Sequence, residues 1–144
     1  MLADLKSTQK EDVLREMLAA LERTGKIGQD DSALVVRRIL DRESLGSTGI
    51  GSGVAVPHAT YENDLVCIVA RSKGGVDYGS IDGQPVFLLF MLLASRSASG
   101  AHLDALASLS RLVRYESLIK RIQDAENADE IRDLLDGGNA ALVG

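Results

Sequence analysis

The sequence predicts an α/β fold: a three-layer α/β/α sandwich in which a small mixed β-sheet lies between helices. Three observations predict it. Helical periodicity fills the opening part of the chain, apolar strand-like runs occupy the middle at residues 65–70 and 86–93, and helical spacing returns after Gly100. With 144 residues and no internal repeat or linker-like tract, the chain reads as one domain, 1–144.

The first segment, Thr8 to Thr24, places Val13, Leu14, Met17, Leu18 and Leu21 on one helical face. Thr8 and Glu11 have the spacing of a capping box, and Gly25 can end the helix. A second helix is expected after Asp30-Asp31, with Leu34, Val35, Ile39 and Leu40 facing inward. Gly46 to Gly53 (GSTGIGSG) then holds four glycines in eight residues and runs into the extended Val54-Ala55-Val56. Pro57 fixes its own φ and biases Val56 toward extended backbone, so His58 is expected at a strand end. Leu65 to Ala70 reads as a strand buried on both faces, and Val86 to Leu93 as the strand at the sheet centre. Asp82-Gly83 signals a turn between them. Ser97 and Ser99 are candidate caps for a helix whose buried side carries Leu103, Leu106, Leu109, Ser110 and Val113. Two short helices, 118–123 and 128–135, complete the pattern, with Asp136-Gly137-Gly138 closing the last.

Composition excludes several classes of function. Hydrophobic residues are 45% and charged residues 26%, so the chain has the means to bury a core. Aromatics are only 3% and the net charge is −5, which argues against stacking platforms and phosphate-backbone binding; no nucleic-acid partner is expected. A single cysteine, Cys67, rules out an intrachain disulfide framework and a cysteine-rich zinc site. The first residues do not read as a signal peptide, and the longest apolar run, Val86 to Ala94, falls far short of the ~20 residues that span a bilayer. A cytoplasmic protein with no membrane insertion is expected.

Few residues carry chemistry. The glycine segment has neither the P-loop nor the dinucleotide-binding spacing. It does offer backbone N–H groups at Gly49 and Gly51 and the hydroxyls of Ser44, Ser47 and Thr48, a set that can cradle an anion or form a plain surface turn. His58 follows a rigid proline. A free imidazole is mostly neutral at pH 7, and neutral imidazole is a competent nucleophile toward phosphorus. His102 falls in the first turn of a predicted helix, where the dipole favours a neutral ring that can donate to an oxyanion; an incidental surface histidine is the alternative. Arg42 precedes the glycine segment and is either a bidentate phosphoryl ligand or a solvated helix-end residue. A metal site from His58, His102 and Cys67 lacks metal-type spacing, so no metal or cofactor is expected.

Glu43 to Ala59, ESLGSTGIGSGVAVPHA, resembles the active-site signature of the type 2 enzyme IIA domains of the phosphoenolpyruvate-dependent phosphotransferase system, the fructose, mannitol and nitrogen-regulatory group. The resemblance covers nearly the whole chain, including residues 75–78, 81–86 and the HLDALASLSRL stretch from His102 to Leu112. It is nearest in wording to the stand-alone nitrogen-regulatory type. It implies that His58 is the phosphorylated residue, that His102 assists at the phosphoryl group and that Arg42 holds its oxygens. It further implies a histidine phosphocarrier protein as donor, with either a regulatory target or an enzyme IIB downstream. The GSTGIGSGVAVPH wording and the absence of a fused IIB favour a regulator over a sugar-transport component. A non-catalytic relative in an anion transporter is a third reading, against which His58 and His102 weigh.

Overall fold

The computed structural model describes residues 2, 4–61, 66–95, 104, 107–108, 111 and 114–143. The described elements run α1 (Lys10–Arg23), α2 (Ser32–Ser44), β1 (Gly49–Gly51), β2 (Val54–Ala55), β3 (His58–Thr60), β4 (Val66–Val76), β5 (Val86–Ala94), α3 (Glu116–Asp124) and α4 (Ala128–Val143). Helices, strands, then helices is the order the sequence predicts, and it produces the α/β sandwich with a mixed sheet.

Strand β5 is the centre. Along one edge it pairs parallel with β2 (Val54↔Leu88) and then, in the same register, with β3 (His58↔Leu92). Along the other it pairs antiparallel with β4 (Cys67↔Leu92, Arg71↔Leu88). The apolar run from Val86 supplies both faces. Leu89, Met91 and Leu93 pack with Val13, Leu14, Met17 and Leu18 of α1 and Val35, Val36 and Ile39 of α2. Leu88, Phe90 and Leu92 pack with Val54, Val56, Ile119, Ile122 and Ile131. A strand covered on both faces has no polar side to alternate with, hence its continuous hydrophobicity. Each such side chain contributes about 1.5–3 kcal/mol on burial.

The N-terminal segment extends the sheet along β4. Leu2 N–H donates to Val69 O at 2.9 Å, Leu5 N–H to Arg71 O at 3.0 Å and Asp77 N–H to Thr8 O at 2.8 Å. This corrects the expected start of α1. Thr8 belongs to the sheet edge, the cap position falls to Gln9, and no side-chain cap bond forms. The end of α1 is as expected. Gly25 adopts φ 73°, donating to Glu22 O while Lys26 N–H reaches Leu21 O, which is the Schellman arrangement.

Three other expectations change. Leu34 is 47% exposed, and the buried face of α2 is Val35, Val36, Ile39 and Glu43. Strand β4 continues past Ala70 to Val76, because Arg71 and Ser72 find buried partners. Helix α4 runs through Asp136-Gly137-Gly138 to Val143. Two glycines lower helix propensity by roughly 1 kcal/mol each, without breaking the hydrogen-bond ladder as proline would. The face assigned to Leu103, Leu106, Leu109, Ser110 and Val113 lies outside the described residues, as does His102.

Candidate functional site

The site grows from the end of α2. Arg42 and Glu43 are neighbours there and take opposite roles. Arg42 lies outward, and its Nη1 donates to Gly46 O at 2.8 Å, laying the guanidinium along the start of the glycine segment. Glu43 turns inward and is buried.

Beyond Gly46 the segment is ordered into a hairpin. β1 and β2 pair antiparallel, with Gly51 opposite Val54 and a two-residue turn at Ser52-Gly53. Both turn residues have positive φ, 56° and 80°, as a type I′ turn requires. Gly49 is required for a different reason. Ser80 crosses so close that a Cβ would collide with its Oγ and press against its Cα, and Ile81 N–H donates to Gly49 O at 3.3 Å. The glycines thus let two loops touch.

His58 opens β3. Its Nδ1 lies 2.9 Å from Val56 O. A carbonyl only accepts, so Nδ1 carries the proton and the lone pair of a neutral ring lies on Nε2. Pro57 cannot donate, and its carbonyl accepts from Leu92 N–H at 2.9 Å, pinning the turn to the central strand. Through Leu92, His58 and Cys67 share one row of the sheet. Adjacent strands are about 4.8 Å apart, so these two side chains flank Leu92 and do not meet.

The three hydroxyls and the Gly49 N–H singled out in the sequence already have partners within the protein. Ser44 Oγ donates to Asp41 O at 2.6 Å, and Ser47 Oγ accepts from Gly49 N–H at 3.0 Å. Thr48 is buried, with its N–H on Glu43 Oε2 at 3.0 Å and its Oγ1–H on Glu43 Oε1. Gly51 stands at the turn of the hairpin with φ 96°. The structure therefore ties Arg42, Ser47, Thr48 and Gly49 into one segment. That segment joins His58 through Val56 N–H, which donates to Thr48 O at 3.0 Å.

Sequence reasoning missed Glu43, Tyr78 and Lys10. Tyr78 OH donates to Glu43 Oε1 at 2.7 Å, and Lys10 Nζ lies 3.4 Å from Oε2. The ammonium also sits 4.6 Å from the centre of the Tyr78 ring. Burial, and then the Glu43 charge, push the Tyr78 phenol far above its ordinary range, so it remains a donor. A signal was present: Glu43 falls seven residues after Val36 and four after Ile39, on the apolar stripe of α2. A carboxylate on such a stripe needs several donors waiting for it.

Two large apolar side chains stand beside this segment in the open. Leu45 is 85% exposed and Ile81 80%.

The described chain thus presents a mixed sheet, a histidine at a strand end with its ring held at Nδ1, and an arginine-bearing helix end. Comparison with known proteins gives the family. The family model for "Phosphoenolpyruvate-dependent sugar phosphotransferase system, EIIA 2" matches residues 1–137, and the chain belongs to that family. It is 42% identical over 134 residues to the fructose-specific EIIABC component of Bacillus subtilis, covering 92% of this chain but 21% of that protein. It is 39% identical over 137 residues to a nitrogen regulatory protein of Bradyrhizobium diazoefficiens, covering 93% of this chain and 87% of that one. Among solved structures, the nitrogen regulatory protein IIA-Ntr of Neisseria meningitidis superposes with TM-score 0.81 at 31% identity, covering 92% and 90% of the two chains. Enzyme IIA mannitol of Escherichia coli superposes with TM-score 0.76 at 26% identity, covering 93% and 94%.

Proposed function

We propose that the chain is a phosphocarrier that accepts a phosphoryl group on Nε2 of His58 from a histidine phosphocarrier protein. The observation that carries this reading is the 2.9 Å contact of Nδ1 with Val56 O, which puts the nucleophilic lone pair on Nε2. In the transfer the Nε2–P bond forms as the donor's N–P bond breaks, and the donor ring leaves with that electron pair. The proton stays on Nδ1, donated to the Val56 carbonyl throughout, so no proton is gained or lost. A phosphorylated ring that keeps this proton leaves as neutral imidazole in the next step, which keeps the group transferable. Arg42, from the outer side of the glycine segment, holds phosphoryl oxygens, with Ser44, Ser47, Thr48, Gly49 and Gly51 shaping the segment around them. His102 donates from its helix start, as the family resemblance implies. The exposed Leu45 and Ile81 form the apolar rim on which the donor docks.

The reading is a phosphorylation-dependent regulator of the nitrogen type, acting in the cytoplasm, with the similarity to nitrogen regulatory proteins in its support. The second reading is a sugar-specific component that passes the group to an enzyme IIB. It is favoured by the similarity to a fructose-specific EIIABC component and by the Escherichia coli mannitol IIA solved in complex with phosphorylated IIB. Among the described residues no helix is long and apolar enough to cross a membrane.

The test is incubation with phosphoenolpyruvate, enzyme I and the histidine phosphocarrier, followed by intact mass. Wild type is expected to gain one acid-labile, alkali-stable phosphoryl group and His58→Ala none. Modification that persists in His58→Ala would sink the assignment. Addition of a sugar IIB then separates the two readings, since only a transport component hands the group on.

A further inference from the structure

We infer that Glu43 is a positioning residue for His58 and fixes its ring tautomer by holding two intervening residues, Thr48 and Val56, in place. This inference rests on the reading of His58 as phosphoryl acceptor and deepens it. The links are continuous. Glu43 Oε2 accepts from Thr48 N–H at 3.0 Å, Thr48 O accepts from Val56 N–H at 3.0 Å, and Val56 O accepts from Nδ1 of His58 at 2.9 Å. Each bond holds in place the residue that carries the next acceptor, so the buried anion at the head anchors the whole series. With its N–H on the Glu43 carboxylate, Thr48 is fixed where its carbonyl holds Val56 N–H; Val56 O, two hydrogen bonds further along, is the acceptor that selects the Nδ1–H form.

The head of the series is well held. Glu43 is buried at the end of α2 and receives Lys10 Nζ from α1, the N–H and hydroxyl of Thr48, and the hydroxyl of Tyr78. It thereby fastens two helices, the glycine segment and the chain after β4 at one point. Its neighbour Arg42 bonds Gly46 O from the opposite side, so the helix end grips the segment at both Gly46 and Thr48. Glu43 bonds the segment and not the His58 ring, which is why its effect must be read at the ring.

The test is the His58 tautomer, read from ring 15N shifts of labelled protein at a pH where the ring is neutral, without phosphate or partner proteins. Wild type is expected in the Nδ1–H form. Glu43→Ala leaves four donors without their acceptor and is expected to populate the Nε2–H form strongly. Its phosphoryl uptake should fall about tenfold, the scale of one lost hydrogen bond. Glu43→Gln keeps one acceptor oxygen for the four donors and is expected to fall between, with partial recovery of uptake. If Glu43→Ala does not fold, Glu43→Gln decides alone. A wild-type tautomer and wild-type uptake in the Gln variant overturn the inference, as does an unchanged tautomer in a folded Ala variant. Because the tautomer is read without phosphorylation, wild-type protein that takes up no phosphoryl group refutes the acceptor reading separately.

Discussion

At the residue scale, Arg42 holds structure with one nitrogen and, on the proposed reading, serves the site with the others. Its Nη1 holds Gly46 O, while the other nitrogens of the planar fork keep their donors directed outward in fixed geometry. A lysine there retains the charge and can reach one carbonyl, but presents a single point donor. Arg42→Lys is therefore expected to slow phosphoryl uptake by roughly tenfold, one lost bond to a charged group being worth about 1.5–3 kcal/mol. Its unfolding midpoint should stay within about 1 °C, because the residue is partly exposed. Initial rates by intact mass, with circular dichroism as the folding control, check both halves; a wild-type rate in the Lys variant would reduce Arg42 to a helix-end residue. The local settings of His58 and Arg42, at a strand end and a helix end, were legible in the sequence because proline and glycine advertise local geometry. The burial of Glu43 could be read from its place on the apolar stripe, but its partners could not, since Lys10 and Tyr78 lie 33 and 35 residues away. Their convergence is a tertiary fact that neither spacing nor residue type announces.

At the scale of elements, the glycine segment is where sequence and structure differ most in kind. Four glycines in eight residues suggest mobility, yet the segment forms a hairpin, tied to α2 by Glu43 and crossed by the Ser80 loop. The glycines are needed for close approach and for positive φ, so composition gave the right residues for a reason it could not display. The turn makes an opposed pair of expectations. Ser52 is the non-glycine residue with positive φ among the described residues, and asparagine tolerates that region better. Ser52→Asn should stabilise the protein by about 0.5 kcal/mol. Gly53→Ala should destabilise it by about 1 kcal/mol or more: the new Cβ takes a left-handed φ and meets the Phe87 ring at 3.1 Å. Denaturant titrations of both variants measure the two signs, and a stabilised Gly53→Ala would mean that the turn is not type I′. The helices were legible for the opposite reason. The 3.6-residue stripe of α1 is a local pattern, whereas its start is set by the pairing of Thr8 with Asp77, which no local pattern encodes.

At the scale of the whole molecule, the two ends of the chain are joined by one buried cation. Arg71 lies on β4 with no exposed surface. Its Nη1 donates to the carbonyls of Ile122, Gln123 and Ala125, at 3.1, 3.2 and 2.5 Å, where α3 ends. Nη2 reaches Asp4 at 3.2 Å, in the N-terminal segment whose backbone pairs with β4. The last carbonyls of a helix lack partners of their own and form the negative pole of its dipole, so a guanidinium there satisfies both. Asp4 is 67% exposed and adds little. The stabilisation comes from the carbonyls: Ile122 O keeps the Ala125 N–H if the side chain is shortened, but Gln123 O and Ala125 O lose the donor that the guanidinium supplies. At about 1–3 kcal/mol per orphaned buried group, partly offset by relaxation and entering water, Arg71→Met should lose about 3 kcal/mol or more. For a chain of this size that lowers the midpoint by about 10 °C. The loss should appear in α3 first. Hydrogen exchange is expected to accelerate at amides 119–125 and along Leu2 and Leu5, while the α1–α2 face keeps its protection. An Arg71→Met variant with wild-type stability, or with exchange raised uniformly across both faces, would show that the C-terminal layer is held by its apolar contacts alone.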